Sequence, residues 1–217
     1  MPEFPLLQEI IIYAIPILFA VTVHEVAHGW VACKLGDQTA KLLGRLTLNP
    51  IKHIDPVGTI LVPIVLKLFG GFIFGWAKPV PVNWHNLRKP KRDMAWVAIA
   101  GPTANLLMVL LWAGLLKLIL ITNEATIGPV LALLEMAKVG VQINAFLMIL
   151  NLLPVPPLDG SRVLTAVLPP RWAYRYNQLE KIGLVIILLL LASGLLLKIL
   201  LPVFNLFVAS ISRIFGI

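Results

Sequence analysis

The residues best equipped for chemistry lie in one string, Val21-Thr22-Val23-His24-Glu25-Val26-Ala27-His28-Gly29-Trp30. Two histidines four residues apart stand on one face of a helix, one turn above the other, so both imidazoles can reach one cation. Glu25 projects beside them, where its carboxylate can take a proton from water activated by that cation. Such an H-E-x-x-H pattern supports metal-assisted hydrolysis. The chain holds only four histidines, and this pair sits inside an apolar run. Ionisable groups within a membrane are costly and usually functional. The structural alternative is a buried histidine pair satisfied by hydrogen bonds, with Glu25 as its partner.

A catalytic zinc keeps three protein ligands and one open position, so a third ligand is needed. His53 and His85 lie in basic loops and are expected at the surface. The best-placed carboxylate is Asp159, in Asn151-Leu152-Leu153-Pro154-Val155-Pro156-Pro157-Leu158-Asp159-Gly160. The three prolines should end the preceding helix and hold the chain extended, and Gly160 is expected to allow a turn after the aspartate.

The elements that must carry these residues are membrane helices. Hydrophobic residues make up 59% of the 217 and charged residues 13%, about half the charge of a soluble domain. Mean hydropathy is +0.92. Apolar runs predict spans over 9–33, 94–121, 129–153 and 182–201, with a shorter apolar tail at 203–215. Residues 56–75 are apolar but interrupted by Pro56, Gly58, Pro63, Gly70 and Gly71, which predicts a re-entrant hairpin or a kinked pair covered by protein. The absence of a basic n-region argues against a removed signal peptide over 1–30. No repeat or long linker is visible, so a single membrane domain, 1–217, is expected. Cys33 is alone and reads as packing.

The net charge of +8 does not point to nucleic acid, because the basic residues cluster in short loops between apolar runs, as an orientation signal does. Lys34, Lys41, Arg45 and Lys52 form one cluster. Lys78, Arg88, Lys89, Lys91 and Arg92 form a second, and Arg162, Arg171, Arg175 and Lys181 a third. All three should share the cytoplasmic side, with the N-terminus outside. His24 lies about 14 Å before the helix end near Cys33, at about 1.5 Å per residue, which sets the metal nearer the cytoplasmic face. Asp159 reaches that face if two crossings separate it from the first helix. Glu135 and Lys138 are spaced to pair on one helix face.

With these motifs in hand, the chain resembles the site-2 protease family, the intramembrane zinc metalloproteases of peptidase family M50. His24-Glu25-Val26-Ala27-His28 matches the family's HExxH, and Leu158-Asp159-Gly160 matches its LDG, whose aspartate is the third zinc ligand. Asn151 and Pro154 match positions just upstream, and the resemblance gives Asn151 a role in positioning or stabilising substrate. Gly101-Pro102 with Asn105 resembles the GPxxN element that packs tightly in the core. No PDZ or CBS module is visible, which places the likeness with the small, minimal branch.

The resemblance implies one zinc per chain held by His24, His28 and Asp159, Glu25 as general base and Asn151 as a catalytic helper. Asn144, seven residues before Asn151, could share the helper role or simply bridge helices. The expected architecture is an all-α polytopic helix bundle with a small membrane-associated β-sheet or re-entrant element. The segments 44–49 and 78–83 are its candidate strands, edges that could bind an unwound substrate by strand addition. The expected partners are transmembrane protein or peptide substrates and the lipid bilayer. A proteolytically inactive metal-binding scaffold and a metal transporter are the rival readings. The scaffold has no need of Glu25 between the histidines. The transporter needs sites along a path, and only one acidic pair beyond this cluster, that of Glu135, lies in a span.

Overall fold

Backbone inside hydrocarbon must satisfy its own polar groups, so long apolar runs become helices. The computed structural model describes residues 4–62, 64, 65, 75–122 and 128–217. Within them lie α1 (Leu6–Lys34), α2 (Thr39–Leu42), α3 (Pro90–Thr122), α4 (Gly128–Asn151), α5 (Asp159–Val167), α6 (Pro170–Gln178), α7 (Glu180–Ala192) and α8 (Leu195–Phe215). Helices α1, α3, α4 and α8 are long and apolar enough to cross a membrane, and the protein is multi-pass. Their outward faces carry exposed Ile11, Phe19, Leu111 and Leu206. In water that would be a defect, and in lipid it is the expected surface.

Packing follows stripes of four-residue spacing. The buried face of α1 runs Ile12, Pro16, Ala20, His24, His28 and Ala32. That of α3 runs Asp93, Val97, Gly101, Asn105, Val109 and Ala113. Ridges of this spacing interdigitate when helices cross closely, and the small residues let the backbones approach. Helix α4 completes the trio with Ala137, Val141, Asn144 and Met148. Farther along, Val109 and Ala113 pack with Val141, Ala145 and Ile211 of α8.

The fourth span differs from expectation. The run 182–201 is broken at Ser193–Gly194, where Gly194 has a left-handed φ of 71°. Helix α7, with 13 residues, is about 20 Å long and too short to cross about 30 Å of hydrocarbon. It folds back on α8 so that Ile187 meets Leu196, Leu200 and Leu150. The crossing helix is α8, which includes the expected short tail.

The expected sheet or re-entrant element is also corrected, because the described residues contain no strand. Pro79 and Pro81 lack amide hydrogens, which removes two ladder donors. The neighbouring donors are used elsewhere: Lys78 N–H to His53 O (2.9 Å), Val80 N–H to Glu25 Oε2 (2.7 Å) and Asn83 N–H to Asp37 Oδ2 (2.7 Å). In 44–49, Arg45 N–H closes a turn on Ala40 O at 2.9 Å. The segment after Asp55 opens as a π-helical turn, Pro56–Leu61, capped by Asp55 Oδ1. Residues 63 and 66–74, the rest of the expected hairpin, lie outside the described residues. The flanks of that segment meet, with Trp76 N–H on Gly58 O at 3.1 Å and Thr59 Oγ1–H on Trp76 O at 2.8 Å.

Asp37 ties this extended segment to the end of α1. It is fully buried and accepts from Thr39 N–H, Thr39 Oγ1–H, Asn83 N–H and Asn86 Nδ2–H. Burial alone would raise its pKa, but the hydrogen bonds from Thr39, Asn86 and Asn83 outweigh burial and hold the carboxyl below its ordinary value. A depressed folded-state pKa stabilises above the unfolded value of about 3.9 and is lost as pH falls through the lower folded value. Asp37→Ala should therefore cost about 3 kcal/mol, since it strands several buried donors. Thermal melts in lipid from pH 6 to pH 3 check this: the wild-type loss of stability below about pH 4 should be shallower in Asp37→Ala.

Candidate metal centre

His24 and His28 lie where the stripes of α1 and α3 cross. Their Nε2 atoms are 3.0 Å apart, and their rings meet edge to face. Asp159 arrives from the other side as the first residue of α5, with Oδ2 3.2 Å from His24 Nε2 and 3.3 Å from His28 Nε2. The expected turn at Gly160 is absent. Gly160 is helical, and its role is close approach: a Cβ there would lie 2.2 Å from Leu152 O. The missing side chain lets α5 start directly against the end of α4, which delivers the carboxylate.

These three atoms fit a zinc ion. Bonds of about 2.0–2.1 Å in a tetrahedron set neighbouring ligand atoms about 3.3 Å apart, close to the three separations found. His28 Nδ1–H donates to Val97 O at 2.7 Å. A carbonyl only accepts, so Nδ1 carries a hydrogen, which leaves Nε2 as the nitrogen available to bind a metal. Asp159 Oδ2 is buried and aligned for a hydrogen bond with neither ring despite its proximity. With both rings neutral and hydrogen on each Nδ1, three lone pairs would converge and repel, and a cation resolves that conflict.

The environment around the triad is built mainly by α3. A Cβ at Gly101 would come 2.4 Å from His28 Nε2 and 2.6 Å from His24 Cε1, so only glycine leaves room for the rings. Two turns of α3 thus place Val97, Gly101 and Asn105 against the histidines. Asn105 Oδ1 lies 2.6 Å from His24 Nδ1. The four-residue spacing of Gly101 and Asn105, matching that of the histidines, was the available signal for these neighbours.

Other candidates take varied positions. Glu25 is partly buried, and its Oε2 accepts the Val80 N–H. Asn151 ends α4 with its Nδ2 donating to Leu147 O at 3.0 Å. Asn144 is fully buried between Asn105 and Gly140 O. His53, expected at the surface, is buried with its ring nitrogen on Thr47 O, while His85 is exposed. Glu135 and Lys138 form an ion pair at 2.8 Å.

Comparison with known proteins agrees with this geometry. The candidate zinc metalloprotease YwhC of Bacillus subtilis is 40% identical over 203 residues, covering 93% of this chain and 90% of that protein. The chain belongs to peptidase family M50. The family model matches residues 117–195, from the last part of α3 through Asp159 to the start of α8. Rip2 of Mycolicibacterium smegmatis, also a candidate zinc metalloprotease, is 31% identical over 81% of this chain, which spans 64% of its length. Rip2 of Mycobacterium tuberculosis H37Rv is 29% identical over 80% of this chain, which spans 63% of that protein. No solved structure matches the chain significantly. The two-histidine, one-aspartate centre within a helix bundle is that of an M50 membrane metallopeptidase.

Gly101→Ala should disturb the centre while leaving most of the bundle intact. Overpacking costs about 1–3 kcal/mol, and here it falls on the ring nitrogens. Competition with a chromogenic chelator should show zinc affinity at least tenfold weaker than wild type, with helix content by circular dichroism unchanged.

Proposed function

We propose that this M50 protein is a zinc-dependent intramembrane endopeptidase, a single unit that hydrolyses peptide bonds within or near transmembrane segments of membrane proteins. The observation that carries this reading is the convergence of three lone-pair donors inside the helix bundle, with a carboxylate on the adjoining residue. His24, His28 and Asp159 would hold one zinc per chain. When bound, zinc supplies Lewis acidity, which lowers the pKa of water and polarises a scissile carbonyl.

The chain's own residues divide the remaining work. Glu25 follows His24 on the same helix, and its Oε2 is anchored by the Val80 N–H. That leaves Oε1 to accept the proton of the attacking water and pass it to the departing amide nitrogen. Asn151 spends one N–H on Leu147 O, and an amide has a second to offer. From the end of α4 it would steady the substrate carbonyl as negative charge develops there. The prolines that follow Asn151 keep the chain out of helix before Asp159, and water would reach the site along this stretch.

The active site would face the cytoplasmic side. Three basic clusters flank the ends of α1, α3 and α4 nearest the triad, and the flanks of 56–75 meet, which keeps the first two clusters together. At the opposite end of α3, Lys117 Nζ–H donates to Gly216 O at 3.3 Å. A substrate helix would have to unwind before cleavage, because its own hydrogen bonds shield the peptide carbonyls.

The test is purified protein in lipid with a panel of membrane-spanning peptides and zinc measured in the same samples. Wild type should hold one zinc and cleave. Glu25→Gln should keep the zinc and lose about 100-fold or more in rate, whereas Asp159→Ala should lose the zinc itself. Undiminished cleavage by Glu25→Gln would remove its role as base, and a zinc-bearing wild type that cleaves nothing would favour an inactive scaffold.

A further inference from the structure

Two fully buried asparagines, Asn105 on α3 and Asn144 on α4, have polarity that can be worked out from fixed partners. An amide's oxygen and nitrogen look alike in shape, so neighbours of known character must decide its orientation. One end of the Asn105 amide lies 3.2 Å from Ala20 O and 2.9 Å from the Asn144 side chain. Ala20 O is a backbone carbonyl and only accepts, so this end is the NH2. Asn144 is oriented in the same way, because its Nδ2–H donates to Gly140 O at 2.8 Å. Its oxygen therefore faces Asn105 and accepts from it.

This leaves Asn105 Oδ1 pointing at His24 Nδ1, 2.6 Å away. An amide oxygen only accepts, so His24 Nδ1 must carry a hydrogen, and Nε2 is the nitrogen left to bind a metal. The direction of the whole chain is imposed by two backbone carbonyls, one on α1 and one on α4. Reversing the Asn105 amide would set its oxygen against both Ala20 O and Asn144 Oδ1, and its NH2 against a histidine driven to carry hydrogen on Nε2. That hydrogen would occupy the space the triad encloses.

We propose that Asn105 is a positioning residue that holds His24 as the metal-ready tautomer, and that Asn144, touching no ligand, fixes which way Asn105 points. The proposal rests on the zinc reading of the triad. His28 gets the same service from the Val97 carbonyl, which cannot flip. His24 relies on a side chain that can, and so needs the second asparagine. Interhelical glue alone would make no such demand on direction.

The experiment compares wild type, Asn105→Leu and Asn144→Leu in lipid nanodiscs. Zinc affinity is measured by chelator competition, stability by thermal melting, and the His24 tautomer by nitrogen-15 NMR of the metal-free protein. In wild type, His24 should carry its hydrogen on Nδ1. Removing an outer-shell partner of a ligating histidine weakens metal binding about 10–100-fold, and Asn105→Leu should fall in that range with a mixed tautomer signal. Asn144→Leu should weaken zinc about tenfold or less by the same principle, with a partly mixed signal. Variants that melt earlier but bind zinc as tightly as wild type would overturn the proposal. If Asn105→Leu does not fold, Asn144→Leu and the wild-type tautomer still decide, since a neutral His24 ring with its hydrogen on Nε2 in wild type would also overturn it. A wild type that takes up no zinc would refute the metal reading, while the tautomer measurement would still judge the asparagine chain.

Discussion

The arrangement depends on one electrostatic demand: three lone-pair atoms are held about as far apart as zinc ligands, in a site from which most water is excluded. His24 Nε2, His28 Nε2 and Asp159 Oδ2 lie 3.0 to 3.3 Å from one another. With both rings neutral, such a cluster repels itself unless a cation sits within it, and low dielectric enlarges both the repulsion and its relief. The surrounding fold can be understood as the framework that keeps the cluster together. Helix α1 supplies two donors, the start of α5 supplies the third, and α3 walls them in with Val97, Gly101 and Asn105.

Membrane packing makes that framework possible. With lipid on the outside there is little hydrophobic force between spans, so close approach and buried hydrogen bonds must hold them. The four-residue stripes of α1 and α3 supply the approach, and the Ala20–Asn105–Asn144–Gly140 chain joins three helices at the level of the site. Asp37, just past α1, and Glu25, within it, take the amide hydrogens of Asn83 and Val80. These bonds hold a proline-broken segment across the end of α1 without any ladder. One carboxylate of that pair is structural, and the other belongs to the proposed chemistry.

Much of the centre could be read from residue order, because it depends on local geometry. A spacing of four on a helix puts His24 and His28 together, and prolines before Asp159 announce a rigid delivery. What remained hidden was non-local. Asn105 meets His24 across 81 positions and Val80 meets Glu25 across 55, and hydropathy carries no information about either pair. Alternating polarity in 78–83 suggested a strand, but the prolines that create the alternation also remove the donors a strand needs. The break at Ser193–Gly194 escaped because the apolar run continues through it. His53 looked superficial beside basic neighbours, yet it folds inward onto Thr47 O.

X-ray absorption at the zinc edge of protein purified in lipid, without added metal, decides whether the triad holds zinc. One zinc per chain is expected, in a shell of nitrogen and oxygen only, at about 2.0–2.1 Å. Multiple scattering should be that of two imidazoles, lost together with the metal when Asp159 and His24 are both replaced by alanine. A sulfur shell, a single imidazole, or a chain that takes up no zinc would contradict it.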